Sequence, residues 1–195
     1  NTKIFNLYKA LKESTIFNSL NAIQQKIIND EIKDFKLGGV DLDEDKKTIF
    51  KELQSKLAKL SSKFEENVLD ETNNFTLNII DDSQLDGIPE DILESAKSLA
   101  KENGQKGHTF TLHFPCYVPV LQYAKNRNLR KQMYAAYAKK ASEFSDKKFD
   151  NTAIIKDILS HRASIAKLLG FNNYAELSID RKMANNPEEV CAFLR

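Results

Sequence analysis

The sequence predicts a mainly helical fold, an elongated multi-helix lobe that carries one small two-stranded β element. Three observations carry this reading. Only 6 Gly and 4 Pro occur in 195 residues, too little turn punctuation for a sandwich or barrel of many short strands. Apolar residues recur at the helical period over most of the chain. Two windows alternate instead with period two, Phe75/Leu77/Ile79 and Phe110/Leu112/Phe114, and antiparallel pairing is the commoner way to join such strands.

The elements follow in order. A first helix covers about Lys3 to Ser14, with Ile4, Leu7, Tyr8 and Leu11 as its apolar stripe. A second runs from about Asn21 to Leu37 and stops at Gly38-Gly39. Asp43-Glu44-Asp45 opens a third, whose Ile49, Leu53, Leu57, Leu60, Phe64 and Val68 keep the helical period to about Thr72. At 1.5 Å per residue this helix is roughly 45 Å long. Strands are expected at about 75–80 and 109–114. Between them lie a loop from Asp81 to Pro89 and a helix from Glu90 to Asn103. After Pro119 the chain reads as helices at about 119–126, 128–143, 152–169, 173–183 and from 187 onward. The whole of 1–195 is expected to form one helical lobe in three parts: a long-helix part to about 74, a strand-helix-strand insert at 75–114, and a helical part at 115–195.

Composition narrows the function classes. The chain has 29 basic and 28 acidic side chains, a net charge of +1, so nothing global draws it to nucleic acid or anionic lipid. No apolar run approaches the ~18 residues of a membrane span. The opening NTKIFNLYKALKES is amphipathic and lacks an apolar signal core. Cys116 and Cys191 cannot make a disulfide framework and read as reduced thiols of a cytoplasmic protein. The first residue is Asn, and the helix opened by Asn186-Pro187-Glu188-Glu189 has only six further residues. The chain is therefore expected to be a piece of something longer.

Chemistry is sparse. His108 and His113 are read in the second strand, five apart, on opposite faces, so they cannot share a metal. His161 continues the apolar series Ile154, Ile158, Ile165, Leu168 and is expected to be mostly buried and metal-free. There is no His-Glu-x-x-His, no Cys-x-x-Cys, no P-loop and no Gly-x-Gly-x-x-Gly. Cys116 has no evident base, and no Ser stands in an elbow motif. Six acids at 81–96 (Asp81, Asp82, Asp86, Glu90, Asp91, Glu94) fail as a calcium loop, because position twelve is Leu93 in place of the bidentate Glu. They suit a helix N-terminus better. Eight bases at 125–148, among them Lys125, Arg127, Arg130 and Lys140, face only two acids. They are spread around a helix, which reads as a solvated or internally paired face more than a nucleic-acid stripe.

The run GHTFTLHFPCYVPVLQYAKNRNLRKQMYAAY, Gly107 to Tyr137, resembles the corresponding stretch of the M3 family of zinc oligopeptidases, the thimet oligopeptidase family. LLGFNNYAELSIDRKMANNPEEV, Leu168 to Val190, is similar to the same family's next signature. LYKALKES, DFKLGGVDL and NVLDETNNFTL fall in the family's order and spacing. The chain departs at Lys140, Cys116 and His161, where the family more often has Arg, Ser and an aliphatic residue.

The resemblance implies that zinc is held by a His-Glu-x-x-His helix and a downstream Glu, with the motif Glu activating the metal-bound water. No position here matches those residues, so no catalytic, cofactor-binding or metal residue is assigned to this chain. The expectation is a non-catalytic channel-wall portion of an oligopeptidase that cuts internal bonds of short peptides. Zinc belongs to the longer protein, and none is expected on this stretch. Its partners are then short peptides and the remaining C-terminal half of the same chain, with no nucleic acid and no membrane, and the protein is a monomer. The alternative is a free-standing helical interaction module without activity.

Overall fold

Local caps set most of the helix boundaries. The computed structural model, which describes residues 1–195, contains ten α-helices, two 3-10 turns and one two-stranded sheet. In α1 (Thr2–Glu13) the Asn1 side chain accepts from the amides of Lys3 and Ile4 at 3.1 and 3.4 Å. A short α2 (Thr15–Ser19) follows. Helix α3 (Ala22–Leu37) starts from a reciprocal box in which Asn21 and Gln24 cap each other's backbone. It ends at Gly38-Gly39, and Gly39 takes a φ of +78° beside the Phe50 ring. Asp43 accepts from the Lys46 amide at 2.9 Å and opens the 31-residue α4 (Glu44–Asn74).

The β element forms where the alternation places it. Strands β1 (Leu77–Ile79) and β2 (His108–Phe110) pair antiparallel, with Leu77 opposite Phe110 and Ile79 opposite His108. A 3-10 turn at Asp82–Leu85 and α5 (Glu90–Glu102) join them. Both strands are shorter than the alternation suggests. Residues beyond Phe110 leave the sheet because α6 (Phe114–Tyr123) starts there. Pro115 sits in its first turn, and the His113 carbonyl accepts from Cys116 and Tyr117 at 2.9 and 2.8 Å. Phe114 is consequently exposed, whereas Leu112 is buried as expected. Pro119 lies inside α6 and does not precede it. The amide that Pro119 lacks would have served Pro115, an exposed residue whose carbonyl can turn to water.

Four helices complete the chain: α7 (Arg127–Lys139), α8 (Thr152–Leu168), α9 (Tyr174–Ile179) and α10 (Pro187–Leu194), with a 3-10 turn at Lys147–Phe149. Helix α7 stops four residues earlier than its pattern suggests, because Ala141 takes a φ of +53°.

Contacts divide the chain into two compact units. One comprises Asn1–Lys59 with Asp157–Arg195, the other Leu60–Lys156. The first is built on Phe5, Ile28 and Ile32, against which Tyr8, Leu11, Phe17, Leu20, Phe35 and Val40 pack. On the far side of α3 from that cluster, Lys33 donates to the Asp180 carbonyl at 2.9 Å, and Asp34 pairs with Arg181. The second unit centres on Phe110, Leu112, Val120, Leu129 and Met133, all nearly inaccessible.

The second unit also holds a buried polar knot. Asn67 Nδ2 donates to Asn151 Oδ1 at 2.8 Å, and Asn151 Nδ2 donates to the Phe64 carbonyl at 3.1 Å. The Asn151 amide donates to the Ala141 carbonyl at 3.1 Å. Glu71, one turn beyond Asn67, accepts from the Ala141 amide and from Ser145 Oγ. These bonds hold the loop between α7 and α8 in its left-handed start.

Candidate functional site

The three histidines stand apart, each in its own surroundings. His108, at the start of β2, places Nδ1 at 3.5 Å from the Asp82 carboxylate, and that nitrogen makes no hydrogen bond. His113 does not lie in the strand as the alternation implies. It is the N-cap residue of α6, exposed, and its ring caps nothing. His161 is half-buried, not enclosed as its helical stripe suggests. The stripe on α8 is covered only towards its end, where Ile165 and Ala166 are buried, while Ile155 and Leu159 are exposed. The ring Nδ1 donates to the Asp157 carbonyl at 2.6 Å. That carbonyl also belongs to the helical ladder, so His161→Leu should strand no acceptor. Its stability is expected to stay within about 0.5 kcal/mol of the parent in urea unfolding, and a loss above ~1.5 kcal/mol would show the ring bond to matter.

No three His, Cys, Asp or Glu side chains come close enough together to hold a metal ion. The Cys116 thiol is half-buried and accepts from the Thr111 amide at 3.4 Å. It lines a cavity of about 220 Å³ with Ile92, Leu99, Thr109 and Pro115. Cys191 is exposed on α10.

The acidic run is consumed locally. Asp81 accepts from the Ser83 hydroxyl at 2.7 Å and the Ser83 amide at 3.0 Å, which together hold its carboxyl below the usual range. Asp86 pairs with Lys125 at 3.1 Å, and Glu90 and Asp91 occupy the first turn of α5. Part of the basic run is also engaged. The Arg130 guanidinium donates to the carbonyls of Ala124 and Lys125 at the end of α6. The Lys140 ammonium lies 4.4 Å from the centre of the Tyr137 ring. Tyr137 stacks on Tyr117 at 4.3 Å, and burial, with Tyr137 and Tyr134 beside it, pushes the Tyr117 phenol above its ordinary value. These aromatic contacts join α6 to α7 and were not apparent from either helix alone.

Known proteins supply what the donor geometry does not. A model described as the N-terminal domain of neurolysin and thimet oligopeptidase matches residues 1–47, and a model of peptidase family M3 matches residues 120–195. Oligopeptidase A of Haemophilus influenzae is 43% identical over 193 residues, covering 98% of this chain and 28% of that protein. The chain belongs to peptidase family M3. A probable cytosolic oligopeptidase A of Arabidopsis thaliana is 42% identical over 188 residues, covering 93% of the chain and 26% of that protein. Saccharolysin of Saccharomyces cerevisiae is more distant, 29% identical over 171 residues.

This M3 chain thus spans little more than a quarter of the length of the curated relatives it matches. The two family models fall on α1–α3 and on most of α6 to α10, while the β element lies in the stretch that only the full-chain relatives align. The donor set here does not fit the zinc centre that the family implies, since its histidines are isolated and no three His, Cys, Asp or Glu side chains come together. No helix is long and apolar enough to cross a membrane.

Proposed function

We propose that this chain is a non-catalytic helical portion of a zinc-dependent oligopeptidase, forming wall of the channel that admits short peptides for cleavage at internal bonds. Its partners are those peptides and the remaining C-terminal part of the same longer protein, and its compartment is the cytoplasm. The observation that carries the reading is the alignment of nearly the whole chain with about a quarter of oligopeptidase A. A metal-assisted hydrolysis needs three ligands and a base around one ion, and a chain whose donors are dispersed has to receive them from elsewhere in the protein.

The test is to express the full reading frame that contains this sequence beside the 195-residue chain. Metal analysis and turnover of an internally quenched short peptide are measured on both. The longer protein should carry stoichiometric zinc and cut the peptide in a chelator-sensitive manner, and the shorter chain should do neither. Chelator-sensitive turnover by the 195 residues alone, or a longer protein that cuts no peptide, would overturn the reading.

A further inference from the structure

Arg162 on α8 is a half-buried cation with no anion. Its Nε is enclosed and meets no acceptor, and no ion pair forms at its guanidinium. The guanidinium carbon lies 5.0 Å from the centre of the Tyr174 ring at the start of α9. A guanidinium held over an aromatic face loses rotational freedom, and here its terminal Nη1–Nη2 edge, unlike Nε, is not enclosed. Other half-buried or paired arginines here are satisfied: Arg130 by two carbonyls and Arg181 by Asp34.

The acids of α9 and its C-terminal turn, and the acid on α3 that meets that turn, are already committed. Glu176, two residues beyond Tyr174, accepts from the Asn172 amide at 3.0 Å and from Asn173 Nδ2 at 2.9 Å. Asp180 accepts from Lys33 at 3.3 Å, and Asp34 takes Arg181. Glu176 and Asp180 would each have to abandon a hydrogen bond to reach Arg162, and Asp34 would have to leave its ion pair with Arg181. An enclosed donor without an acceptor is costly, and native structures rarely keep one.

We propose that Arg162, held over the Tyr174 ring, is a carboxylate-binding site of the longer protein. The terminal Nη1–Nη2 edge matches a carboxylate with two parallel hydrogen bonds. The carboxylate has two possible sources, the free C-terminus of a peptide substrate or an acidic side chain from elsewhere in the same protein. The first source rests on the function proposed above, and the second does not.

The experiment uses the full-length protein and Arg162→Met, which keeps an apolar stem against Tyr174. KM and kcat are measured for one short peptide as the free acid and as the C-terminal amide. Melting temperatures of both proteins are taken at pH 7 and in steps down to about pH 2. If the substrate supplies the carboxylate, KM for the free acid rises about ten-fold or more, with kcat and the amide unchanged. If a side chain supplies it, acid and amide respond alike and the variant melts roughly 2 °C or more lower at pH 7. That gap must then persist near pH 4 and close towards about pH 2. A carboxylate paired with Arg162 has a lowered pKa, and its stabilisation is lost as pH falls through that value. Lys156, Asp157, His161 and Lys167 on α8 and Glu176 on α9, the other charged or titratable groups on the helices that hold the pair, are present in both proteins, and Arg162→Lys, which keeps the charge, controls for their response to it.

A melting gap independent of pH, or no change in any of these quantities, overturns the proposal and leaves Arg162 as packing alone. Should Arg162→Met fail to fold, Arg162→Lys takes the same measurements, since it keeps the charge and removes the two-pronged edge. If the wild type cleaves neither peptide, the proposed function fails, while the melting temperatures still decide the carboxylate.

Discussion

Gly107→Ala is expected to cost about 4 kcal/mol or more, whereas Gly104→Ala, three residues away, costs about 1 kcal/mol. Both glycines have a positive φ, +68° at Gly104 and +87° at Gly107, so both substitutions carry the backbone penalty of a left-handed L-residue. They differ in space. Nothing lies within 4 Å of a methyl group built on Gly104. A methyl group on Gly107 would overlap the Ile79 carbonyl and crowd the Ile80 Cα at 2.8 Å. These are backbone atoms at the end of β1, where Ile79 pairs with His108, so relief means prising the two strands apart. Behind them sit Phe110 and Leu112, both almost inaccessible, and opening the pair wets that core. Urea unfolding of the two variants beside the parent is the measurement. Equal losses at the two positions would show that φ alone, and not the approach of Ile79, sets the requirement.

Gly107 illustrates what could be read along the chain and what could not. The alternation of Phe75, Leu77 and Ile79 announces a strand, because period two is a local property. The need for glycine at 107 arises from a carbonyl 28 residues earlier, and no window around Gly107 contains it. Helix boundaries followed the same division. The Asn21–Gln24 box, the Gly38-Gly39 stop and the Asn186-Pro187 start lie within a few residues of the ends they set, and all three were legible. The end of α7 was not, because Ala141 is held left-handed by Glu71, 70 positions away.

The candidate site divides in the same manner. That the three histidines stand apart and that no ligand motif is present could be seen from spacing, and the resemblance to the M3 family from two contiguous runs. The burial of His161 was misjudged because periodicity gives the direction of a helix face but not how far along it the neighbours extend. Arg162 went unnoticed beside it. Its meaning depends on Tyr174 across a turn and on the prior engagement of Glu176, Asp180 and Asp34, which only the folded unit reveals.

The buried asparagines give the sharpest test of the second unit. Asn151 is wholly inaccessible and Asn67 nearly so, and both polar side chains survive burial because they bond to each other and, for Asn151, to the Phe64 carbonyl. Asn151→Ala should cost about 3 kcal/mol. It removes the bond to the Phe64 carbonyl, leaves Asn67 Nδ2 without its acceptor, and opens a small void at the foot of α8. Asn67→Ala should cost less, about 2 kcal/mol, because Asn151 keeps its bond to Phe64. The double variant is the informative one. Once either partner is gone, removing the other relieves an orphaned amide, so the two losses should fall short of additivity by about 1 kcal/mol or more. A cycle of the four proteins in urea measures this directly. Strict additivity would mean that the 2.8 Å bond contributes nothing beyond packing, and that the backbone bonds of Ala141 and Asn151 hold the loop unaided.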